Sequence, residues 1–587
     1  MRHFSWSLRV RSHAVSSLAL IAGGCFHDSP AVEIHTDGGQ DDDGPGDDAT
    51  SSAGPGSDGD ASHGATTAES GGSSGNADSS SDTTAAGVDT GASSSTDAGS
   101  STDATSTGAG SSTDAGSSST DASSSSTGGD PCPAGTLACP CDAGSCDEGT
   151  CIDGTCTPPS CGNGVVDGDD ACDDGNALAQ DGCESDCTPS TGVATLAVGD
   201  QHACALFHDG RLRCFGYGAW GKLGYGDGEN IGDDENPATA GDVDLGGAAV
   251  IAAAAGREHT CVVLEGGDVR CFGFNNWGAL GNPLIDFQTG YGDEPGESPA
   301  LLPAVPMPAP AIAVSCGAWH TCALLEGGDV QCWGHNPYGQ LGYGITELGI
   351  GDDEPADDEG LVDLGGTVVA IDTEGHHNCA LLDDGTVRCW GLNDEGQLGI
   401  GSFETIGDDE LPSSVAVALP STALVVQAGS KFSCALLDDG TVHCWGRNAE
   451  GQAGLGDTVA NAVPAAAAVL GDDVVELSLG AAHACARLGD GQTLRCWGDA
   501  NFGRLGYGIQ PEQDIGDDEL PSAMVPVALP AAPLRAIALG DAISCARVGD
   551  GEIVCWGGNT SGQNGQPGVP FIGDDETPAD VGTIVIE

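Results

Sequence analysis

Seven times from about residue 193 onward, two cysteines stand ten or eleven residues apart, at 204/214, 261/271, 322/332, 379/389, 434/444, 485/496 and 545/555. The pairs recur every 51 to 61 residues. A period of that size belongs to chains whose repeats cannot bury their own apolar faces and must stack on one another, as solenoids and propellers do. Within each unit, short β-rich runs such as 368–371 and 386–390 are separated by Gly and Asp turns, and no helical period is sustained. Blades of a β-propeller fit this pattern best.

The same spacing predicts how the cysteines are used. With Glu265-Gly266-Gly267 turning a hairpin, Cys261 and Cys271 stand opposite each other on adjacent strands, where a cross-strand bridge is geometrically allowed. The expectation is seven bridges: Cys204–Cys214, Cys261–Cys271, Cys322–Cys332, Cys379–Cys389, Cys434–Cys444, Cys485–Cys496 and Cys545–Cys555. Each closes a short loop and so stabilises by about 2–3 kcal/mol at most. Cys316 has no partner in this scheme, and a total of 26 cysteines favours an oxidising compartment.

The clearest copy reads Gly375-His-His-Asn-Cys379-Ala-Leu-Leu-Asp-Asp-Gly385-Thr-Val-Arg-Cys389-Trp390-Gly-Leu-Asn-Asp-Glu-Gly396-Gln-Leu-Gly399. It resembles the regulator of chromosome condensation repeat, G-x-x-H-x-x-A-L followed by G-x-V-x-x-W-G-x-N-x-x-G-Q-L-G, and in that family seven copies close one ring. The resemblance covers 191–587 and implies an all-β, seven-bladed β-propeller. The first unit starts late, at Val193, and the last is followed by 578–586, so a C-terminal strand is expected to join the first blade and close the ring, removing exposed sheet edges.

Comparing the copies separates packing from chemistry. The histidine two places before the first cysteine is His202, His259, His320, His377 and His483, but Phe432 and Ile543 hold the place in the other two units. A position that accepts Phe and Ile packs or hydrogen-bonds between blades. The aromatic after the second cysteine, Phe or Trp in every unit, reads as blade core.

Charge excludes one partner class: 16 Lys+Arg against 89 Asp+Glu give a formal charge of −73, too few cations to neutralise nucleic-acid phosphates. Part of the acidity is organised, because Ile-Gly-Asp-Asp-Glu recurs at 231–235, 350–354, 406–410, 515–519 and 572–576. Three readings stand for these loops. They are solvated turns anchored by Ile, a face that recognises a basic partner, or calcium sites with Asp233, Asp234, Glu235, Asp352, Asp353, Glu354, Asp408, Asp409 and Glu410 as ligands. No other cofactor is expected.

Upstream of the repeats lie three segments. Residues 1–25 read as a secretory signal, with Arg2, Arg9 and Arg11 before a short apolar stretch; 20–25, ending in Cys25, resembles a bacterial lipobox, though Ala22 stands where Leu is usual. That resemblance implies lipidation of Cys25 and an outer-membrane or cell-surface location, with simple cleavage as the alternative. Residues 26–131 are Ser, Thr, Asp, Ala and Gly, expected to stay disordered as an acidic linker. Residues 132–190 hold ten cysteines and read as a small disulfide-rich module. Its last four, Cys161, Cys172, Cys183 and Cys187, resemble a four-cysteine repeat of bacterial secreted proteins, which implies that they pair with one another; zinc is the competing use.

Two function classes follow. The leading expectation is a non-enzymatic secreted or surface-anchored scaffold, its loops presented to an unknown extracellular protein or glycan, with the N-terminal lipid as its membrane contact. The alternative is a propeller hydrolase, against which stands the absence of an S-x-D-x-G-x-x-W box and of any singular Ser/His/Asp or paired-carboxylate constellation. The family resemblance also implies a remote alternative, guanine-nucleotide exchange, which fold alone does not transfer. Residues 282–311, with Tyr291 and Met307, are the insertion expected to distinguish the contact surface.

Overall fold

In the computed structural model, residues 189–587 are described except 287, 347, 348 and 510–512, together with Cys183 and the backbone of three short strands. Those strands, Cys139–Pro140, Thr150–Ile152 and Thr155–Thr157, form one antiparallel sheet. The expected signal, the lipidation site Cys25 and the acidic linker lie outside the described residues, as do Cys161, Cys172 and Cys187. Cys183 is buried and disulfide-bonded.

From Val193 onward the chain forms seven antiparallel sheets in sequence order. The first is Val193–Val198, His202–Phe207 and Leu212–Gly216. The second is Val250–Ala255, His259–Leu264 and Val269–Phe274, with Gly290–Tyr291 at its edge. The third is Ala311–Cys316, His320–Leu325, Val330–His335 and Gly349–Ile350. The fourth is Val368–Glu374, His377–Leu382 and Val387–Gly391, and the fifth Ala423–Ala428, Phe432–Leu437 and Val442–Gly446. The sixth is Val474–Leu479, His483–Leu488 and Leu494–Gly498. The seventh is Leu534–Leu539, Ile543–Val548, Glu552–Gly558 and Phe571–Ile572. Middle strands are buried on both faces because neighbouring sheets cover them, which is why they read as apolar runs rather than as alternation.

Each hairpin is stapled. All seven cysteine pairs are bonded at directly opposed positions, with Cα–Cα distances of 4.0–4.1 Å, the close spacing of a non-hydrogen-bonded pair. Cys316 is free and buried, and burial pushes its thiol up. The isoleucine of Ile-Gly-Asp-Asp-Glu takes the fourth-strand place: Ile350 and Ile572 lie in short strands, and Ile231, Ile406 and Ile515 make single bridges to Gly216, Gly391 and Gly498. Tyr291 takes that place in the second sheet, where it pairs with Gly273. The insertion that carries it is thus a longer route to the same edge position, and its Met307 packs against the core.

Between sheets runs a repeated polar network. His202 Nε2 meets Thr260 Oγ1 of the next sheet at 2.7 Å, His259 meets Thr321 at 2.8 Å, His320 meets Asn378 at 2.7 Å, His377 meets Ser433 at 2.8 Å and His483 meets Ser544 at 2.8 Å. Each partner in turn donates to a main-chain carbonyl, as Ser433 does to Gln397 at 2.9 Å. A hydroxyl that donates onward must accept from the imidazole, so Nε2 carries the proton in these rings. The two exceptions come in matched pairs. Phe432 replaces histidine in the fifth sheet, and Ala484 stands at the partner position in the sixth; Ile543 replaces it in the seventh, and Ala203 stands at that position in the first. Phe432 and Ala484 share one buried cluster, and Ile543 and Ala203 share another.

Successive sheets contact one another through their first and second strands, and the seventh contacts the first. In six of the seven sheets, all but the fourth with its Glu374, a glycine before the turn allows this approach: a Cβ at Gly256 would come 2.5 Å from the Gly317 carbonyl oxygen, and one at Gly540 would come 2.4 Å from that of Gly199. The C-terminal segment differs from the expected strand. Pro578–Val581 is one turn of helix, because Pro578 follows Thr577, whose side chain closes a capping box with Asp580. The residues after it belong to no strand. Ile584 N–H donates to Ile553 of the seventh sheet at 2.9 Å, Ala238 N–H donates to Val585 at 3.1 Å, and the Arg213 guanidinium of the first sheet donates to the Ile586 carbonyl.

Candidate functional site

Two sets of turns carry the side chains whose identity changes from repeat to repeat. The first lies between the first and second strands of each sheet and holds Asp200-Gln201, Arg257-Glu258, Ala318-Trp319, Gly375-His376, Ser430-Lys431, Ala481-Ala482 and Asp541-Ala542. The second follows the third strand, in the Asn-x-x-Gly-Gln-Leu segment or its equivalent. Its third position is Trp220, Trp277, Tyr338, Glu395, Glu450, Phe502 and Ser561 in chain order. Ring contacts place the two sets side by side: Trp277 lies 5.2 Å from His335, Trp319 5.4 Å from His335 and 5.5 Å from His376, and Tyr338 5.2 Å from His376. Burial pushes the His335 imidazole down to about 3 and holds His376 well below its ordinary value, so this aromatic cluster is neutral near pH 7.

Three of the third-position aromatics are exposed, Trp277 is half-buried, and three of the four carry a conformational cost. Trp220 and Phe502 are each 45% exposed and Tyr338 is 36% exposed. Trp220, Trp277 and Phe502 hold φ of 64°, 56° and 62°, a left-handed conformation that costs a side-chain-bearing residue about 1–2 kcal/mol. The following glycine is fixed by its neighbour. A Cβ at Gly278 would come 2.6 Å from the Asp352 nitrogen, at Gly339 2.3 Å from that of Asp408, and at Gly503 2.6 Å from that of Asp574. Each of these turns therefore borders the acidic loop of the next sheet, and the turn of Trp220 likewise borders Gly292-Asp293.

Those loops hold the residues read from sequence as calcium candidates. Asp233, Asp234 and Glu235 bring carboxylate oxygens within 4.8 Å of one another, as do Asp352, Asp353 and Glu354, and Asp408, Asp409 and Glu410. Partial burial and hydrogen bonding to the adjacent aspartates push Glu354 and Glu410 up to about 7.

Cations on these turns are all paired. Lys222 Nζ lies 2.8 Å from Glu258, Arg257 3.7 Å from Asp200, Lys431 3.1 Å from Asp394, Arg447 2.7 Å from Glu450 and Arg504 3.7 Å from Asp499. Several also cover rings: Lys222 lies 4.9 Å from the Tyr217 centroid, Arg257 5.2 Å from Trp319 and Arg504 5.4 Å from Phe502. Asp200 and Asp541, from the first and seventh sheets, are 3% and 8% exposed. Burial and the neighbouring carboxylate push Asp200 well up; burial also raises Asp541, against the pull of Arg504 at 3.9 Å. The two carboxyl groups face each other within hydrogen-bonding reach beneath the surface. Sequence reasoning expected no paired-carboxylate constellation and missed this one, because 341 residues separate Asp200 from Asp541.

The model for the regulator of chromosome condensation (RCC1) repeat matches residues 250–278, 311–340, 368–397, 425–452 and 534–563. A second model of the same repeat matches 266–324, 384–436 and 439–487. Residues 250–340, 368–487 and 534–563 are thus regulator of chromosome condensation repeats. Among curated relatives it is 27% identical over 345 residues to the ultraviolet-B receptor UVR8 of Arabidopsis thaliana, covering 57% of this chain and 72% of the receptor. It is also 27% identical over 328 residues to the E3 ubiquitin-protein ligase HERC2 of Homo sapiens, covering 55% of this chain but only 6% of the ligase. Among solved structures the chain matches human WBSCR16 at 19% identity and a TM-score of 0.49, over 60% of this chain and 85% of that one. Prp20p of Saccharomyces cerevisiae matches at 20% identity and a TM-score of 0.47, over 60% of this chain and 80% of that one.

For an RCC1-repeat propeller, the conserved parts of each unit are accounted for by packing. The cysteines staple the hairpin, the histidine bridges to the next sheet, the aromatic after the second cysteine fills the core, and the glycines permit close approach. What those roles leave over is the varied set of turns. Their aromatic members were legible only as differences between copies at the third position, and their exposure follows from a backbone conformation that sequence does not report.

Proposed function

We propose that the chain is a non-enzymatic binding scaffold, a seven-bladed propeller closed where the seventh sheet meets the first, which presents its turns to an extracellular protein or glycan. One observation carries the reading. Every unit keeps the same stapled hairpin and five of the seven keep the histidine bridge, while the third position of one turn changes through Trp, Tyr, Glu, Phe and Ser. A rigid frame with variable exposed aromatics is what recognition needs, since ordering such side chains on binding costs little.

Closure is supported by the matched exceptions Ile543 and Ala203, by the Asp200 and Asp541 pair, and by the C-terminal residues bonded to both end sheets. The extracellular setting is supported by seven disulfides, which persist in oxidising compartments. In this reading lipid on Cys25 anchors the protein at the cell surface, 26–131 is the tether and 132–190 a stapled neck. The segment matched in the human ligase is 6% of that protein, so ligase activity does not come with the resemblance.

The test uses the full chain and its Trp220→Ala/Trp277→Ala variant as cross-linking baits in extracellular extract. A partner captured by the first and lost by the second supports the scaffold. Turnover of a glycan or peptide library by the purified chain would refute it. Loss of palmitate labelling and of membrane association in Cys25→Ser tests the anchor.

A further inference from the structure

We infer that the exposed aromatics Trp220, Tyr338 and Phe502, together with the half-buried Trp277, each on a turn beside the acidic loop of the next sheet, form a docking surface for an arginine- and lysine-rich polypeptide segment. The inference rests on the scaffold reading and names its partner class.

The argument begins with what each turn offers. A ring face is electron-rich and attracts a cation placed over it, most strongly where water is excluded. Trp220 is backed by Phe274 at 4.6 Å, and Phe502 by Phe571 at 6.0 Å in a stacked arrangement, so one face of each ring is supported from behind. Acidic loops pack against the same turns, which pairs each ring with a carboxylate-bearing loop: the main chain of Asp293, Asp352, Asp408 and Asp574 meets the glycine that follows Trp220, Trp277, Tyr338 and Phe502. An arginine side chain fits such a pair twice over, its guanidinium plane against the ring and its N–H groups toward the carboxylate.

The protein already uses this chemistry within itself. Arg504 lies over Phe502 at 5.4 Å while reaching Asp499 at 3.7 Å, and Arg257 lies over Trp319 at 5.2 Å while reaching Asp200 at 3.7 Å. Because the cations of these turns are all engaged by carboxylates, an anionic ligand finds no free positive charge there. The long-range field points the same way, since a chain with a formal charge of −73 attracts basic segments and repels acidic ones.

The experiment titrates the full chain into a fluorescein-labelled arginine–glycine repeat peptide at physiological ionic strength and reads anisotropy. The wild type is expected to bind, with lysine–glycine peptide weaker and glutamate–glycine peptide unbound. Trp220→Ala/Trp277→Ala and Phe502→Ala should each weaken binding about tenfold, while Trp220→Phe, which keeps a ring, should not. Thermal melts of the same variants confirm that they are folded. If folded aromatic variants bind as tightly as wild type, attraction is diffuse charge alone and the docking surface is overturned. A panel of neutral oligosaccharides separates the two levels. Saccharide binding lost in the aromatic variants, with peptide binding unaffected, overturns the basic partner and leaves the scaffold. If neither ligand depends on these turns, both readings fall.

Discussion

Replacing His377 and Ser433 by Phe and Ala would transplant the Phe432 and Ala484 pair one sheet earlier. His377 and Ser433 are fully buried, their contact is 2.8 Å, and Ser433 passes its own proton to the Gln397 carbonyl at 2.9 Å. Ser433→Ala alone strands the imidazole N–H where no water reaches it, at a cost of about 2 kcal/mol. The Gln397 carbonyl keeps the Trp445 indole at 2.8 Å, so little is added on that side. Adding His377→Phe removes the stranded donor, and most of the loss should be recovered, a coupling of about 2 kcal/mol. The same variant tests a pH dependence. Burial pushes the His377 imidazole down from 6.5 to about 3, and its Nδ1 has no acceptor. The unfolded chain therefore binds a proton below about pH 6.5 that the folded chain refuses, and stability falls by about 1.4 kcal/mol per pH unit as pH drops toward 3. Between pH 7 and pH 5 this one ring costs about 2 kcal/mol, which the double variant should not lose. The loop glutamates held near 7 act in the opposite sense but are common to both proteins. Guanidinium unfolding followed by tryptophan fluorescence, with disulfides intact, at pH 7 and pH 5 measures both effects. The reasoning is refuted if the double variant is as unstable as the sum of its single variants, or if it loses stability on acidification as fast as wild type.

Three other outcomes are expected. Truncation before residue 583 removes Ile584 and Ile586, both buried to 6% exposure, and should cost roughly 4 kcal/mol and lower the melting temperature; an unchanged melt would remove the main support for closure. Trp220→Gly should be more stable than Trp220→Ala by about 1 kcal/mol, since both lose the contact with Phe274 but only glycine relieves the φ of 64°; equal stabilities would show that the turn is unstrained. Glu354, pushed up to about 7 by burial and by its bond to Asp353, holds a proton in the folded state between about 4.5 and 7 that the unfolded chain releases. Wild-type stability should gain from that group as pH falls through this window, and Glu354→Gln should lack the gain, as melts at pH 7.5 and pH 5.5 can read.

The legible parts of the fold are those each repeat states for itself. A cysteine pair ten residues apart around a Gly turn fixes a hairpin and its register, because only one alignment sets both sulfurs on the same face. What crosses between repeats was harder to read. The histidine was visible as a position that tolerates Phe and Ile, yet its partner lies 56 residues further on for His377 and 61 for His483, and nothing local connects them. The signal was nevertheless present: the two units with Ala before the first cysteine, at Ala203 and Ala484, are those that follow the units lacking histidine. For Ala203 the preceding unit is the last in the chain, so the substitution pattern itself treats the seventh and first repeats as neighbours. The Asp200 and Asp541 pair obeys the same cyclic order and stayed hidden for the same reason. The exposed aromatics are a different case, because Trp220 and Phe502, each just before the glycine of its turn, read in sequence like further core rings. Their exposure goes with a backbone angle that opposes the preference of their own residue type, held by Gly221 and Gly503 wedged against the next sheet. Local preference and tertiary structure disagree at Trp220, Trp277 and Phe502, and the framework around them absorbs the cost. Such disagreement is where binding surfaces are found, since packing alone would have placed glycine there.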